Sequence, residues 1–194
     1  MRKLLLASGL LLAAGSASAQ TNNIKVNILS PIVKTGSFFF EHKLNPNSSI
    51  QLGALFTNWS INDTKITGFA ITPEYRFYLS ESKEAMQGFY VAPFLRYQNL
   101  TLKDTHDSYV YTGSGSGTYQ SQTDEASLDT FGGGVLIGHQ WIFKQRFSLD
   151  TFLGPSYNGG SVTYKSNGSN TGTLDAGTFK GFGIRTGITF GIAF

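Results

Sequence analysis

From residue 23 onward, apolar side chains alternate one by one with small or polar ones, and a chain built on this period of two has few folds open to it. Ile24, Val26 and Ile28 alternate with Lys25 and Asn27, Phe38 and Phe40 with Phe39 and Glu41, and Ile50, Leu52, Ala54 and Phe56 with Gln51, Gly53 and Thr57. Successive side chains of a strand point to opposite faces, so this is the strand period. Between Ile66 and Leu79 one face reads Phe69, Ile71, Pro73, Tyr75, Phe77, Leu79 and the other Gly68, Ala70, Thr72, Glu74, Arg76, Tyr78. Phe89, Val91, Pro93, Leu95 and Tyr97 likewise oppose Tyr90, Ala92, Phe94, Arg96 and Gln98. Residues 128–143 and 147–157 follow, and a last strand sets Phe182, Ile184, Ile188, Phe190, Ile192 and Phe194 against Gly181, Gly183, Arg185, Gly187 and Gly191. Eight strands result. Beyond residue 20 no apolar run is long enough for a helical membrane span, which needs about 18 residues or more.

The connections fall into two alternating sets. Residues 45–48, 80–87 and 144–146 are expected as compact turns; 34–36, 57–65, 103–126 and 158–178 form a set of mostly longer loops rich in Gly, Ser, Thr, Asn and Asp. Short turns at one end and long loops at the other are the asymmetry of an outer-membrane barrel. A soluble eight-stranded barrel would turn its Phe and Ile face inward and place charges on nearly every outer position. Here the polar face holds glycines and a few isolated charges, too sparse for a solvated exterior. The apolar face carries Phe77, Phe89, Trp141, Phe143, Phe147 and Phe194 near strand ends, where a periplasmic aromatic girdle would lie. The expected fold is therefore all-β: an eight-stranded antiparallel up-and-down transmembrane β-barrel.

The amino terminus supplies the route to that membrane. Arg2 and Lys3 form a positive segment, residues 4–12 an apolar one, and Ala17-Ser18-Ala19 a small-residue cleavage site, so 1–19 reads as a cleaved signal peptide and 20–194 as the barrel domain. Gln20, not a cysteine, would lead the mature chain, which argues against a lipoprotein anchor. Without Arg2 and Lys3 the balance is 13 basic against 12 acidic residues, too even for a nucleic-acid partner. The chain has no cysteine, which removes disulfides and thiolate metal sites.

The carboxy-terminal stretch 185–194 resembles the terminal-strand signal read by the barrel assembly machinery, with Gly187, Phe190, Ile192 and the final Phe194 as its spaced elements. Residues 23–29, 71–78, 132–141 and 153–159 resemble an uncharacterised family of small outer-membrane barrels common in Bacteroidota, similar in architecture to OmpA-, OmpX- and OmpW-type barrels. That resemblance implies the outer membrane of a Gram-negative bacterium, with outer-membrane lipid and lipopolysaccharide as surroundings, and it carries no agreed activity.

Seven ionisable residues fall on the inward face: Lys25, Glu41, Glu74, Arg76, Arg96, Asp150 and Arg185. An eight-stranded barrel is only wide enough inside for side chains to fill it, so these charges are expected to pair into a structural plug. On this reading Arg96→Met and Arg185→Met should each weaken resistance to unfolding. Catalysis would require a nucleophile, a positioned His and a carboxylate. Of His42, His106 and His139, only His106-Asp107-Ser108 brings the residue types together, and adjacent strand residues face opposite ways. His42 and His139 read as side chains at the periplasmic rim. Asp104, Asp107, Asp124 and Glu125 lack calcium-loop spacing and read as a solvated acidic loop. Gly132-Gly133-Gly134 reads as strand that relieves crowding in the lumen, and residues 113–117 as a flexible loop; neither is a dinucleotide fingerprint.

No catalytic residue, cofactor or metal site is expected. The leading functional reading is a non-enzymatic outer-membrane barrel with a structural or surface-interaction role, whose loops at 103–126 and 158–178 meet an extracellular ligand or protein. Two alternatives stay open: a narrow pore or lateral path for small hydrophobic molecules, as the OmpW-type likeness implies, and lipid A modification.

Overall fold

The computed structural model describes residues 20–61, 64–80, 85–111, 117–166 and 180–194, so the expected signal peptide and most of the 158–178 connection lie outside the described residues. Eight strands, β1 (Asn22–Asn27), β2 (Thr35–Asn45), β3 (Ser48–Ile61), β4 (Thr64–Tyr78), β5 (Gly88–Tyr111), β6 (Gly117–Phe143), β7 (Phe147–Ser166) and β8 (Gly181–Ala193), form a closed up-and-down barrel in which each pairs antiparallel with the next and β8 returns to β1. Apart from the closing β1–β8 pair, every neighbour in the sheet is a neighbour in sequence. Closure leaves no sheet edge along the paired length, which is what a barrel requires in a medium that cannot hydrogen-bond backbone.

The register carries the alternation around the ring. Glu41 stands opposite Gln51 and Gln51 opposite Glu74, while Arg96 stands opposite Gly132 and Gln140 opposite Asp150. These side chains share the inner face. Lys25, Glu41, Arg76, Gln140 and Asp150 are fully buried, whereas Ile71, Phe77, Ile184 and Phe190 on the other face are exposed. The outward band holds no Asp, Glu, Lys or Arg between the rim defined by Phe89 and Trp141 and the one defined by Tyr97, Phe131 and Tyr157. At ~3.4 Å per residue and a tilt of ~40°, the stretch from Phe131 to Trp141 rises about 25 Å.

Inside, large side chains lie over glycines of the neighbouring strand. The Tyr90 ring occupies the space a Cβ on Gly138 would need, Phe152 that of Gly187, and the Lys25 stem that of Gly191. Inward glycines are thus the other half of the inward aromatic and lysine residues: only where one strand gives up its side chain can the next send a long one across so narrow a lumen. Prolines mark the breaks in the ladders. The β4–β5 pairing skips positions at Pro73 and Pro93, and the β6–β7 pairing skips Pro155, as expected where no N–H is available.

The two ends differ from expectation in opposite ways. At the turn end, the β6–β7 connection is a tight turn with Lys144 and Gln145 both at positive φ and an Arg146 N–H to Phe143 O bond of 3.0 Å. The β4–β5 connection is more than a compact turn: Ala85 and Met86 are buried, and the Met86 carbonyl accepts a 2.7 Å bond from Gln140 Nε2. Ala85 N–H in turn donates to Pro46 O, which ties the described part of this connection to the β2–β3 turn. At the loop end, residues expected as loops continue the ladder. Strand β3 runs to Ile61 and β4 begins at Thr64; β5 and β6 pair without a break from Leu102 opposite Ala126 to Tyr111 opposite Gly117. The 103–126 segment is therefore a β-ribbon, with roughly 40 Å of extended chain beyond Asn99 on each strand, and only 112–116 at its tip falls outside the described residues. Polar ribbons of Thr, Ser and Asp have loop-like composition, yet a register already set in the barrel costs little to propagate. Between β1 and β2 the chain makes a 3-10 turn at Ser30–Val33, with Lys34 in the left-handed conformation.

Candidate functional site in the barrel lumen

Near the turn end, the inward positions of β1, β2, β4, β6 and β7 converge on a dry cluster. Lys25 Nζ donates to Glu41 Oε2 (2.7 Å), Gln140 Oε1 (2.7 Å) and Asp150 Oδ2 (3.0 Å), which uses all three of its protons. Arg76 Nη1 donates to Asp150 Oδ2 at 2.8 Å, and its Nε and Nη2 both reach Glu74 Oε2, at 3.3 and 3.1 Å. Its guanidinium also lies 4.3 Å from the centre of the Tyr90 ring. Glu41 and Asp150 are filled from their other sides, Glu41 Oε1 accepting from Ser49 (2.5 Å) and Tyr78 (2.6 Å) and Asp150 Oδ1 from Tyr90 (2.8 Å), while Gln51 (2.9 Å) donates to the same Glu74 Oε2 that Arg76 uses.

A buried ion pair recovers its desolvation cost only when geometry is good and the remaining lone pairs are met. Here both conditions hold for Lys25, Arg76, Glu41 and Asp150, whose side chains have no exposed surface. Strip one partner and a charge is left alone in the barrel, at a cost of about 3–5 kcal/mol. With Met86 and Tyr78 below it, this cluster fills the lumen across its width.

Toward the loop end the arrangement changes. Arg185 Nη1 lies 2.7 Å from Glu74 Oε1, an ion pair whose alignment falls short of a hydrogen bond, and its guanidinium is 4.8 Å from the Phe94 ring and 5.1 Å from that of Phe152. Among the described residues Arg96 bonds only to Gln98, Nε to Oε1 at 3.1 Å. Beside these two arginines is a cavity of about 350 Å³ lined by Ser37, Phe39, Phe152 and Gly187. Still farther out, the inner face turns apolar, with Leu100, Leu102, Ala126 and Leu128 packed against Ile66 and Val162.

Of the seven inward charges expected to pair, the structure brings together Lys25, Glu41, Glu74, Arg76 and Asp150, and adds Arg185 at the upper edge through Glu74. Arg96 is the correction. Three carboxylates meet three cations, and Arg96, farther toward the loop end, has no carboxylate partner among the described residues. What sequence reasoning missed are the uncharged members: Gln51, Gln140, Tyr78 and Tyr90 stand on the same inward alternation and could have been found by following it, whereas nothing in the sequence marks Met86.

The other singled-out residues are placed as follows. Gly187 faces inward under Phe152; Phe190 and Phe194 are exposed on the outer face. Outside, His139 packs between Phe89 (4.4 Å) and Trp141 (4.1 Å), and His42 Nδ1 meets Asn22 Oδ1 at 2.8 Å, both near the turn end. His106 and Asp107 fall on opposite faces of β5, opposite Gln122 and Ser121. The acidic residues expected in a solvated loop lie on the ribbon instead: Asp104 opposite Asp124, with Thr64 Oγ1 donating to Asp104 at 2.8 Å, and Glu125 paired to Lys103 at 2.9 Å. Among the described residues no three His, Asp or Glu side chains converge as a metal site would need.

No curated protein matches this chain. Among solved structures, the chain is similar to the N-terminal β-barrel domain of Pseudomonas aeruginosa OprF, with 12% identity over 92% of this chain and 100% of that one and a TM-score of 0.39. The barrel assignment rests on the strand order itself. A family model described as "Protein of unknown function (DUF3575)" matches residues 5–175, and the chain belongs to that family.

Proposed function

We propose that this is a non-enzymatic outer-membrane barrel of a Gram-negative bacterium, closed in its lumen, with a structural and surface-interaction role exerted through its loop end. One observation carries the reading: a band of outward apolar side chains about 25 Å tall, free of charge, encircles an interior that holds paired charges. A water-soluble barrel inverts that polarity. The strand ends and short turns would then face the periplasm, the acyl chains and lipopolysaccharide would surround the band, and the β5–β6 ribbon would stand outside the cell as the contact surface for an extracellular ligand or protein.

The same scheme assigns residues 1–19 to export and Gly187, Phe190, Ile192 and Phe194 to recognition by the barrel assembly machinery. No nucleic-acid partner and no cofactor enter it. The cluster around Lys25 and Arg76 opposes the rival reading of a pore running straight through the lumen. Planar-bilayer recording tests this: the purified barrel should insert without steady single-channel conductance, and a persistent open-channel current would overturn the closed reading.

A further inference from the structure

The ring is not closed evenly. Strand β1 pairs with β8 from Asn23 opposite Ala193 to Asn27 opposite Thr189, continued at the turn end by bonds between Asn22 and Phe194 and at the loop end by a last bond from Ile28 N–H to Ile188 O at 3.0 Å. There the chain leaves for the 3-10 turn. Strand β8 runs on to Gly181, and from Thr186 outward β7 is its only partner among the described residues. In an antiparallel strand both backbone groups of a residue point the same way, and Ile188 points toward β1. Thr186, Ile184 and Phe182 therefore aim their N–H and C=O groups at a place where no described strand stands. Backbone left bare in hydrocarbon costs several kcal/mol per group and is tolerated only where it meets water, protein or a polar ligand.

What surrounds that edge has a definite chemistry. The 350 Å³ cavity reaches it from inside, and a second cavity of about 340 Å³ wraps around β8, touching lumen-facing Arg96 and Arg185, outward Phe182 and Ile184, and Lys180. Both volumes are within the ordinary range of small-ligand pockets, about 300–1,000 Å³. Lys180 lines the second cavity together with the arginines, and Arg96 is the lumen cation with no carboxylate partner among the described residues. The three most exposed large apolar side chains among the described residues are Phe182 (79%), Ile32 on the 3-10 turn (77%) and Ile184 (75%). Cations inside, amides with no backbone partner among the described residues along the edge, and an apolar lip outside are what a ligand with an anionic head and a hydrocarbon tail would meet.

We propose that the gap between β1 and the outer half of β8 is a lateral binding site for an anionic amphiphile. The carboxylate or phosphate head accepts hydrogen bonds from Arg96, assisted by Arg185, Lys180 and the free N–H groups of Ile184 and Thr186. The tail leaves sideways over Phe182 and Ile184 into the outer leaflet. Because the turn-end cluster blocks the lumen below, the site exchanges with the membrane and the exterior only. This inference rests on the membrane reading above.

The test is isothermal titration and native mass spectrometry of the full barrel in a neutral detergent, with dodecanoate, dodecyl phosphate, dodecanol and acetate as probes. Dodecanoate or dodecyl phosphate should bind one per chain, and neither dodecanol nor acetate should displace it. Arg96→Met should weaken binding about 10- to 100-fold, the loss of a charged hydrogen bond, with Arg96→Lys restoring most of it. Equal affinity in Arg96→Met, or acetate binding as well as dodecanoate, would overturn the proposal, the latter in favour of a site for free anions. A barrel that shows heat-modifiable migration yet ignores dodecanoate and dodecyl phosphate overturns this proposal alone. A chain that folds and stays dispersed without detergent overturns the membrane reading instead.

Discussion

The two halves of the lumen are built from the same kinds of residue and do different things with them. In the turn-end half, Lys25 and Arg76 are each locked by carboxylates and the Gln140 amide, tyrosine hydroxyls fill the carboxylates, and no side chain of that ion cluster reaches solvent. In the loop-end half, Arg185 has a single imperfect ion pair, Arg96 a single amide, and both line open volume. The difference lies in what stands opposite. Glu41, Asp150 and Glu74 are all on the turn-end side, so that half can be dry, while the cations above them must keep water or a ligand within reach. Polar networks of this kind stabilise only when complete. Completeness makes one half a plug, and incompleteness makes the other a place to bind.

Mutations should break this contrast in a fixed order. Arg76→Met or Asp150→Asn ought to have the largest effect, about 3–5 kcal/mol off the unfolding free energy, read from urea titration of the barrel in micelles, because each orphans a charge in the dry half. Gly138→Val comes next, at about 1–3 kcal/mol, since its side chain would enter the space held by the Tyr90 ring and displace the hydroxyl that bonds Asp150. Arg185→Met should cost less than Arg76→Met by the same assay, because Arg185 makes one ion pair where Arg76 meets both Glu74 and Asp150, and Glu74 keeps Arg76 when Arg185 is removed. Arg96→Met should change stability least, by under about 0.5 kcal/mol, the scale of a substitution away from any paired network. A loss at Arg96 as large as that at Arg76 would show that the two halves are one network after all. Excision of 103–125 with a short turn in its place should leave the unfolding midpoint of the barrel unchanged while removing the external ribbon, measured by the same titration.

Which face each residue takes was legible from sequence because alternation is a local property: Glu74 and Arg76 have to share a side with Tyr78, and Phe77 has to take the other. Closure in eight strands follows from counting alternating segments and turns. Partner choice within the lumen was not legible. Strands in a barrel are staggered, so whether Asp150 meets Arg76 or Arg96 depends on the shear of the whole ring and not on any segment. Alternation alone therefore groups Arg96 with a network that it stands above. The length of the β5–β6 ribbon was hidden for a different reason: Thr105, Thr123, Tyr109 and Tyr119 pair across it, yet outside the apolar band nothing in the hydrophobic pattern marks a strand. The shortness of β1 was hidden too, since Ile28 continues the alternation up to the residue at which the chain turns away.

The central claim is that outward side chains meet hydrocarbon while inward ones meet neither lipid nor water at the level of the plug. The chain has no cysteine, so single cysteines can carry a spin label without a background to remove. Labels at Val135→Cys, Leu136→Cys and Ile137→Cys on β6, in protein reconstituted into liposomes, report collisions with dissolved oxygen and with a water-soluble nickel chelate. Positions 135 and 137 should collide freely with oxygen and scarcely with nickel, and position 136 with neither. Strong nickel collisions at 135 and 137, or oxygen access confined to 136, would contradict the account.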